Sequence, residues 1–183
     1  MTDRQAFSAH FGRTPEAGFF SPGRINLIGE HTDYNGGLVL PMAIGPGTRF
    51  LVARRQDTHI RVHSEAVQET VTLTPGMQEA GPREHWSDYL LGVLAVFPGG
   101  WPKSGLDVLI RSDLPTDRGL SSSASLTLGF AGTLDAIGES ALDRLQLARI
   151  AQAAENDFVG VACGILDPFA VAMGRAGHAI ALD

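Results

Sequence analysis

Three clusters in the sequence bring together residue types that can do chemistry. The first is Gly23-Arg24-Ile25-Asn26-Leu27-Ile28-Gly29-Glu30-His31-Thr32-Asp33-Tyr34-Asn35-Gly36-Gly37. It crowds a guanidinium, carboxylates and an imidazole into a loop between apolar stretches. Glu30, His31 and Asp33 could each bond a different hydroxyl of a sugar, because carboxylates accept readily from neighbouring diol protons. A solvated loop closed by a salt bridge to Arg24 explains the same composition. The second cluster is Leu114-Pro115-Thr116-Asp117-Arg118-Gly119-Leu120-Ser121-Ser122-Ser123-Ala124. It follows a strand-like segment and opens a run of small residues suited to a helix. A helix start presents unpaired N–H groups and partial positive charge, so it can cradle phosphate without lysines. Serine hydroxyls there can cap the helix, ligate Mg²⁺, or do both. The Gly-Lys-Ser/Thr of a P-loop is missing, which excludes that motif. The third cluster is Ala154-Glu155-Asn156-Asp157-Phe158-Val159-Gly160-Val161-Ala162-Cys163-Gly164-Ile165-Leu166-Asp167-Pro168-Phe169. Asp167 stands where a helix could begin, ahead of a proline that first helical turns tolerate, so an N-cap is the plain alternative to a chemical role. Cys163, in apolar company, reads as a small packed side chain.

The elements that must position these clusters alternate unevenly along the chain. A short N-terminal helix precedes an extended segment from Gly18 to Ile28, broken at Pro22-Gly23. A buried strand through Leu38, Val39 and Leu40 follows the polar loop. Arg49 to Arg55 and Thr58 to His63 read as paired strands around Gln56-Asp57, the second half-exposed by its alternation of polar and apolar residues. Thr70 to Leu73 is a further strand. Helical spacing of Trp86, Leu90, Val93, Leu94 and Phe97 predicts a helix from Trp86 to Phe97, ended by Pro98-Gly99-Gly100. Leu106 to Ile110 is a strand, Ser121 to Ala136 the small-residue helix, and Leu142 to Phe158 another helix. One short helix falls within Cys163 to Arg175, and His178 to Leu182 is strand-like. Strands lead and helices follow, which favours an α+β layer fold in one domain. A last strand whose partner lay later in the sequence would expose a sheet edge, suggesting the N-terminal half of something longer.

Composition excludes several classes of function. The 183 residues carry 14 Lys and Arg against 20 Asp and Glu, a net charge of −6. No basic stripe for nucleic acid can be built from that balance. The 44% hydrophobic content excludes a disordered chain. One cysteine rules out an intrachain disulfide and any multi-cysteine zinc site. Neither an N-terminal signal peptide nor an uncharged run long enough to span a bilayer is present, so a cytoplasmic protein with no membrane partner is expected.

Taken together, the clusters resemble the galactokinases of the GHMP small-molecule kinase family, in order and spacing, from about Phe11 to Asp183. The resemblance implies that family's N-terminal domain over residues 1–183: a mixed β-sheet packed against helices, with a galactose-binding signature at about 18–45, a phosphate-binding motif at 115–124 and a Mg/catalytic segment at 154–169. The family's C-terminal domain would be absent, leaving a surface on which it would dock. It further implies ATP-dependent phosphorylation of the anomeric hydroxyl of galactose, impaired by truncation, with Mg²⁺ as cofactor. Asp167 would be the catalytic carboxylate, with Arg24 beside it stabilising the transferring phosphoryl group. Arg24, Glu30, His31, Asp33, Gly164 and Asp167 would contact the sugar. Trp86 and Tyr89 would enclose adenine, while Gly119, Leu120, Ser121, Ser122, Ser123 and Ala124 surround the phosphates. Ser123 and Glu155 would bind the metal. Asp117 and Arg118 stand where the family usually has small residues, and Pro168 replaces the usual Gln. A non-catalytic galactose and ATP sensor, or a kinase for a related sugar such as N-acetylgalactosamine, fits the same motifs.

Overall fold

The computed structural model describes residues 1–29, 37–115, 119–138 and 140–182. Its centre is one five-stranded mixed sheet made of β1 (Ala17–Asn26), β2 (Pro41–Arg54), β3 (Ile60–Ser64), β4 (Glu69–Leu73) and β5 (Leu106–Ser112). The spatial order is β1-β2-β5-β3-β4, with β3 and β5 parallel and the other pairs antiparallel. Side-chain alternation then dictates the two layers. Phe50 and Val52 of β2, Ile60 and Val62 of β3, and Leu106, Val108 and Ile110 of β5 form one buried face. That face packs under α2 (Asp88–Val96), α3 (Ser122–Gly138) and α4 (Arg144–Ala153), while α5 (Leu166–Met173) packs against α4 and β1. On the opposite face Ala53 and Leu109 pack against Ala6 and Phe7 of α1 (Asp3–Phe11).

The pairing of the second and third strands differs from the hairpin read in the sequence. Between them runs β5, contributed by residues some fifty positions later. At its start Gly105 donates to the Asp57 carbonyl at 2.5 Å and its own carbonyl accepts from Arg55 at 2.7 Å. A local turn signal cannot reveal a distant strand inserted between its arms. The most apolar segment won the central place, where both neighbours pair with it. Likewise β3 is not half-exposed: His63 is buried because His10 of α1 stacks on it at 3.7 Å between centroids.

The strand expected at Leu38 to Leu40 reduces to a single bridge. Val39 is buried and paired with Leu182, whereas Leu38 is 65% exposed. The strand-like stretch at the other end therefore has its partner earlier in the chain. Ile180 donates to the Pro41 carbonyl at 2.8 Å, and Leu182 and Val39 exchange bonds at 3.1 and 3.0 Å.

Glycines decide how closely α3 lies on the sheet. A Cβ at Gly129 would overlap the fully buried Phe50 ring, and one at Gly132 would overlap Phe19. Gly129→Ala is expected to lower stability by about 1–3 kcal/mol, since overpacking outweighs the gain in helix propensity. A urea midpoint at or above the parent's would contradict this packing.

Candidate functional site

Three segments far apart in sequence converge at one end of the sheet. In β1 the register shifts between Pro22 and Arg24. Gly23 makes room there: a Cβ would sit 2.9 Å from the Leu120 carbonyl and would collide with Leu114. Arg24 is thereby turned toward the turn that opens α3. Its backbone N–H donates to the Leu120 carbonyl at 3.2 Å, and Nη1 donates to the Gly119 carbonyl at 2.6 Å. Its remaining donors grip Asp167, with Nε 2.7 Å and Nη2 2.5 Å from Oδ1. Both donors converge on the one oxygen of this partly buried pair, a charge-assisted contact stronger than a neutral hydrogen bond.

The other Asp167 oxygen, Oδ2, accepts from the Ser121 hydroxyl. Ser121 sits just before α3 at φ 55°, a left-handed conformation uncommon outside glycine. That backbone aims its hydroxyl at Asp167 instead of capping the helix. The N-cap alternative for Asp167 does not hold: it is the second residue of α5, and its side chain turns away to Arg24 and Ser121. Pro168 follows inside the first turn, where a missing N–H costs nothing.

Glu155 lies deeper behind this pair. The continuous helix expected to Phe158 instead ends at Ala153 and widens into a π turn, Ala154–Val159. One extra residue per turn re-aims side chains, and such turns recur at functional sites. Here the turn presses on α2, where Gly92 has no Cβ to meet the Ala154 carbonyl, which would be 2.8 Å away. Glu155 is consequently 3% exposed, bonded by the Ser123 hydroxyl and by Thr127 Oγ1 at 3.2 Å. Burial pushes its carboxyl up to about 7, against the two hydroxyl bonds, and the nearby Asp167 charge adds to the rise. The next residue, Asn156, clasps the Cys163 backbone through both amide atoms, at 3.1 and 2.8 Å, which fixes the loop carrying Gly164 toward α5.

On the far side of the α3 start is a cavity of about 430 Å³. Val67, Trp86, Tyr89 and Leu126 line it, and Ser122 and Ser123 close its end toward the first turn of α3. Trp86 is not a core position of α2, as its helical spacing suggested, because that helix starts at Asp88. It precedes the helix and packs partly on the core while facing the cavity. A larger groove of about 710 Å³ between β1, β2 and α5 contains none of the candidate residues.

The structure thus brings together Arg24, Asp167, Gly119 and Ser121, and separately Ser123 with Glu155. Trp86 and Tyr89 share the cavity with Ser122 and Ser123, while Ala124 is buried beneath the first turn of α3. Glu30, His31 and Asp33 lie outside the described residues, as do Asp117 and Arg118. Sequence reasoning missed the side-chain role of Ser121, and it missed Thr127 and Asn156. Thr127 was detectable, standing four residues after Ser123 on the same helix face. Among the described residues no helix is long and apolar enough to cross a membrane.

Comparison with known proteins bears on the family and the fold. Residues 5–54 match the galactokinase galactose-binding signature, and residues 88–175 match the GHMP kinases N-terminal domain. The chain is 41% identical to a galactokinase of Clostridium tetani (strain Massachusetts / E88) over 98% of its own length and 46% of the relative's. It is 42% identical to a galactokinase of Lactococcus lactis subsp. lactis (strain IL1403), with 98% and 46% covered. The crystal structure of Lactococcus lactis galactokinase complexed with galactose superposes with a TM-score of 0.92 at 41% identity, covering 98% of this chain and 48% of that one. A mevalonate kinase shares the fold at 22% identity, with a TM-score of 0.77, 86% of this chain and 51% of that one being covered. The chain spans about half the length of these relatives. It belongs to the GHMP kinases, and among them it corresponds over its whole length to the N-terminal half of the galactokinases.

Proposed function

We propose that this chain supplies the nucleotide- and sugar-binding half of a galactokinase, which transfers the γ-phosphoryl group of ATP to the anomeric hydroxyl of galactose. The observation that carries the reading is the Arg24–Asp167–Ser121 constellation beside the α3 start. In this reading the sugar's anomeric hydroxyl lies against Asp167. A carboxylate has about four acceptor positions, and Arg24 and Ser121 occupy those that fix its orientation. Acceptor capacity remains on Oδ2 for the hydroxyl proton. As the sugar oxygen attacks the γ-phosphorus, the bond from that phosphorus to the β–γ bridging oxygen breaks and ADP leaves. The proton passes to Asp167, while Arg24 lies close enough to offset charge on the moving group. Such catalysis is mainly positioning and electrostatics. Glu30, His31, Asp33 and the Gly164 backbone take the remaining galactose hydroxyls. The Gly119 to Ala124 segment receives the phosphates at the helix start, without a lysine, and Trp86 with Tyr89 encloses the adenine.

The donor set suits a divalent cation. A buried carboxylate bonded by two hydroxyls, and half-protonated near neutral pH, offers hard oxygen ligands from Glu155 and Ser123. Glu155 and Ser123 would hold Mg²⁺, which would supply positive charge to offset that of the phosphates.

Incubating the purified chain with galactose, ATP and Mg²⁺ is expected to release ADP in proportion to galactose 1-phosphate formed, at a rate that truncation lowers. Saturable binding of both ligands with no ADP would mark a galactose- and ATP-binding sensor instead. Faster turnover of N-acetylgalactosamine than of galactose would reassign the acceptor.

A further inference from the structure

A carboxylate of the sheet reaches the loop that bears Trp86. Glu69, the first residue of edge strand β4, accepts from the Trp86 indole Nε1 at 2.7 Å. The same oxygen, Oε2, stands 3.2 Å from Nε2 of His85. Behind it the donors run in one direction. Arg83 Nη2 donates to the buried Ser87 hydroxyl at 2.9 Å, and Ser87 Oγ is 2.9 Å from His85 Nδ1. With the His85 proton on Nε2, Ser87 donates to Nδ1 and His85 donates to Glu69, so every member of the chain is satisfied. The loop backbone is anchored independently: Asp88, 2% exposed, accepts from the Arg83 and His85 N–H groups at 2.7 and 2.9 Å. Asp88 fixes where the loop lies, whereas Glu69 fixes how the indole is turned. Register strengthens the point, because Glu69 pairs with Ser64, which itself lines the cavity that Trp86 faces.

We propose that Glu69 is a positioning residue for nucleotide binding: it holds the Trp86 indole as a ready-made wall of the cavity, with His85 as the second arm of the clamp. The proposal rests on the nucleotide reading of that cavity. A free indole would have to be ordered each time a base entered, and ordering one large side chain costs binding energy that a preset ring does not. Glu69 is well placed for this because its strand is hydrogen-bonded into the sheet, while the loop it steadies is not.

The test uses the whole chain with Trp101 replaced by Phe, leaving Trp86 as the sole emitter, and calorimetric titration with Mg·ATP. Glu69→Leu is expected to raise the Mg·ATP Kd about three- to tenfold, to shift Trp86 emission, and to leave the galactose Kd unchanged. Glu69→Gln keeps an acceptor for the indole and should recover most of the affinity and the parent emission. His85→Ala should fall between the two. Unchanged Mg·ATP affinity and emission in Glu69→Leu, with Trp86→Ala still weakening binding, would overturn the proposal alone. Trp86→Ala binding Mg·ATP as the parent does would overturn the nucleotide reading, and the proposal with it.

Discussion

Replacing Asp167 by asparagine is expected to reduce phosphorylation of galactose by about 10²–10⁴-fold, the usual contribution of a positioned general base. The effect should fall on kcat, with the galactose Kd changed little. Asparagine has the size of aspartate; its oxygen still accepts from Arg24, and its amide NH2 can donate to the Ser121 hydroxyl oxygen, so the site keeps its shape. What it lacks is the negative charge and the basicity that, in the proposed mechanism, would take up the hydroxyl proton. The comparison belongs in whichever length of the protein turns galactose over, with kcat from ADP release and Kd from calorimetry. Turnover within a few-fold of the parent would remove Asp167 from the proton path and leave the Arg24 pair with a structural role only.

Glu155→Gln should stabilise the metal-free chain at alkaline pH. The carboxyl rises from an ordinary 4.5 to about 7 on folding. Between those values the folded chain holds a proton that the unfolded chain has released. Stability from this group is therefore complete below pH 4.5 and falls away as pH rises through about 7. The loss amounts to about 3 kcal/mol at pH 8, since each tenfold change in proton affinity is worth about 1.4 kcal/mol. Glutamine cannot ionise and still offers Thr127 and Ser123 an oxygen. With a chelator present, the variant's urea midpoint should exceed the parent's at pH 8, and the two should converge toward pH 4.5. Parallel stability curves across that range would show that the buried carboxyl ionises without penalty.

Much of this site was legible in the sequence, because its residues come in compact runs with chemical meaning. The spacing of Arg24, the Ser121–Ser123 triplet and the Glu155 to Asp167 segment singled out the groups that the fold gathers. Helices and strands read from periodicity also fall close to their true positions. What stayed hidden depends on long-range geometry. Nothing near Gln56-Asp57 announces that β5 will enter between the flanking strands. The π turn at Ala154 looks like ordinary helix, since the pressure of α2 through Gly92 is a tertiary effect. The bond from Ser121 to Asp167 needs a left-handed backbone at a serine, which no pattern of residue types specifies. The Glu69–Trp86 contact joins two elements that show no common motif.

The separation of 143 residues between Arg24 and Asp167 bears on how the protein is made. Synthesis delivers the guanidinium first, and at roughly 5–20 residues per second the carboxylate follows many seconds later. Throughout that interval the nascent polypeptide lacks the Arg24–Asp167 pair, however well its early strands have set. The Arg24–Asp167 pair thus forms only after α5 leaves the ribosome and docks, and any slowing of translation across that stretch delays the pair rather than the sheet.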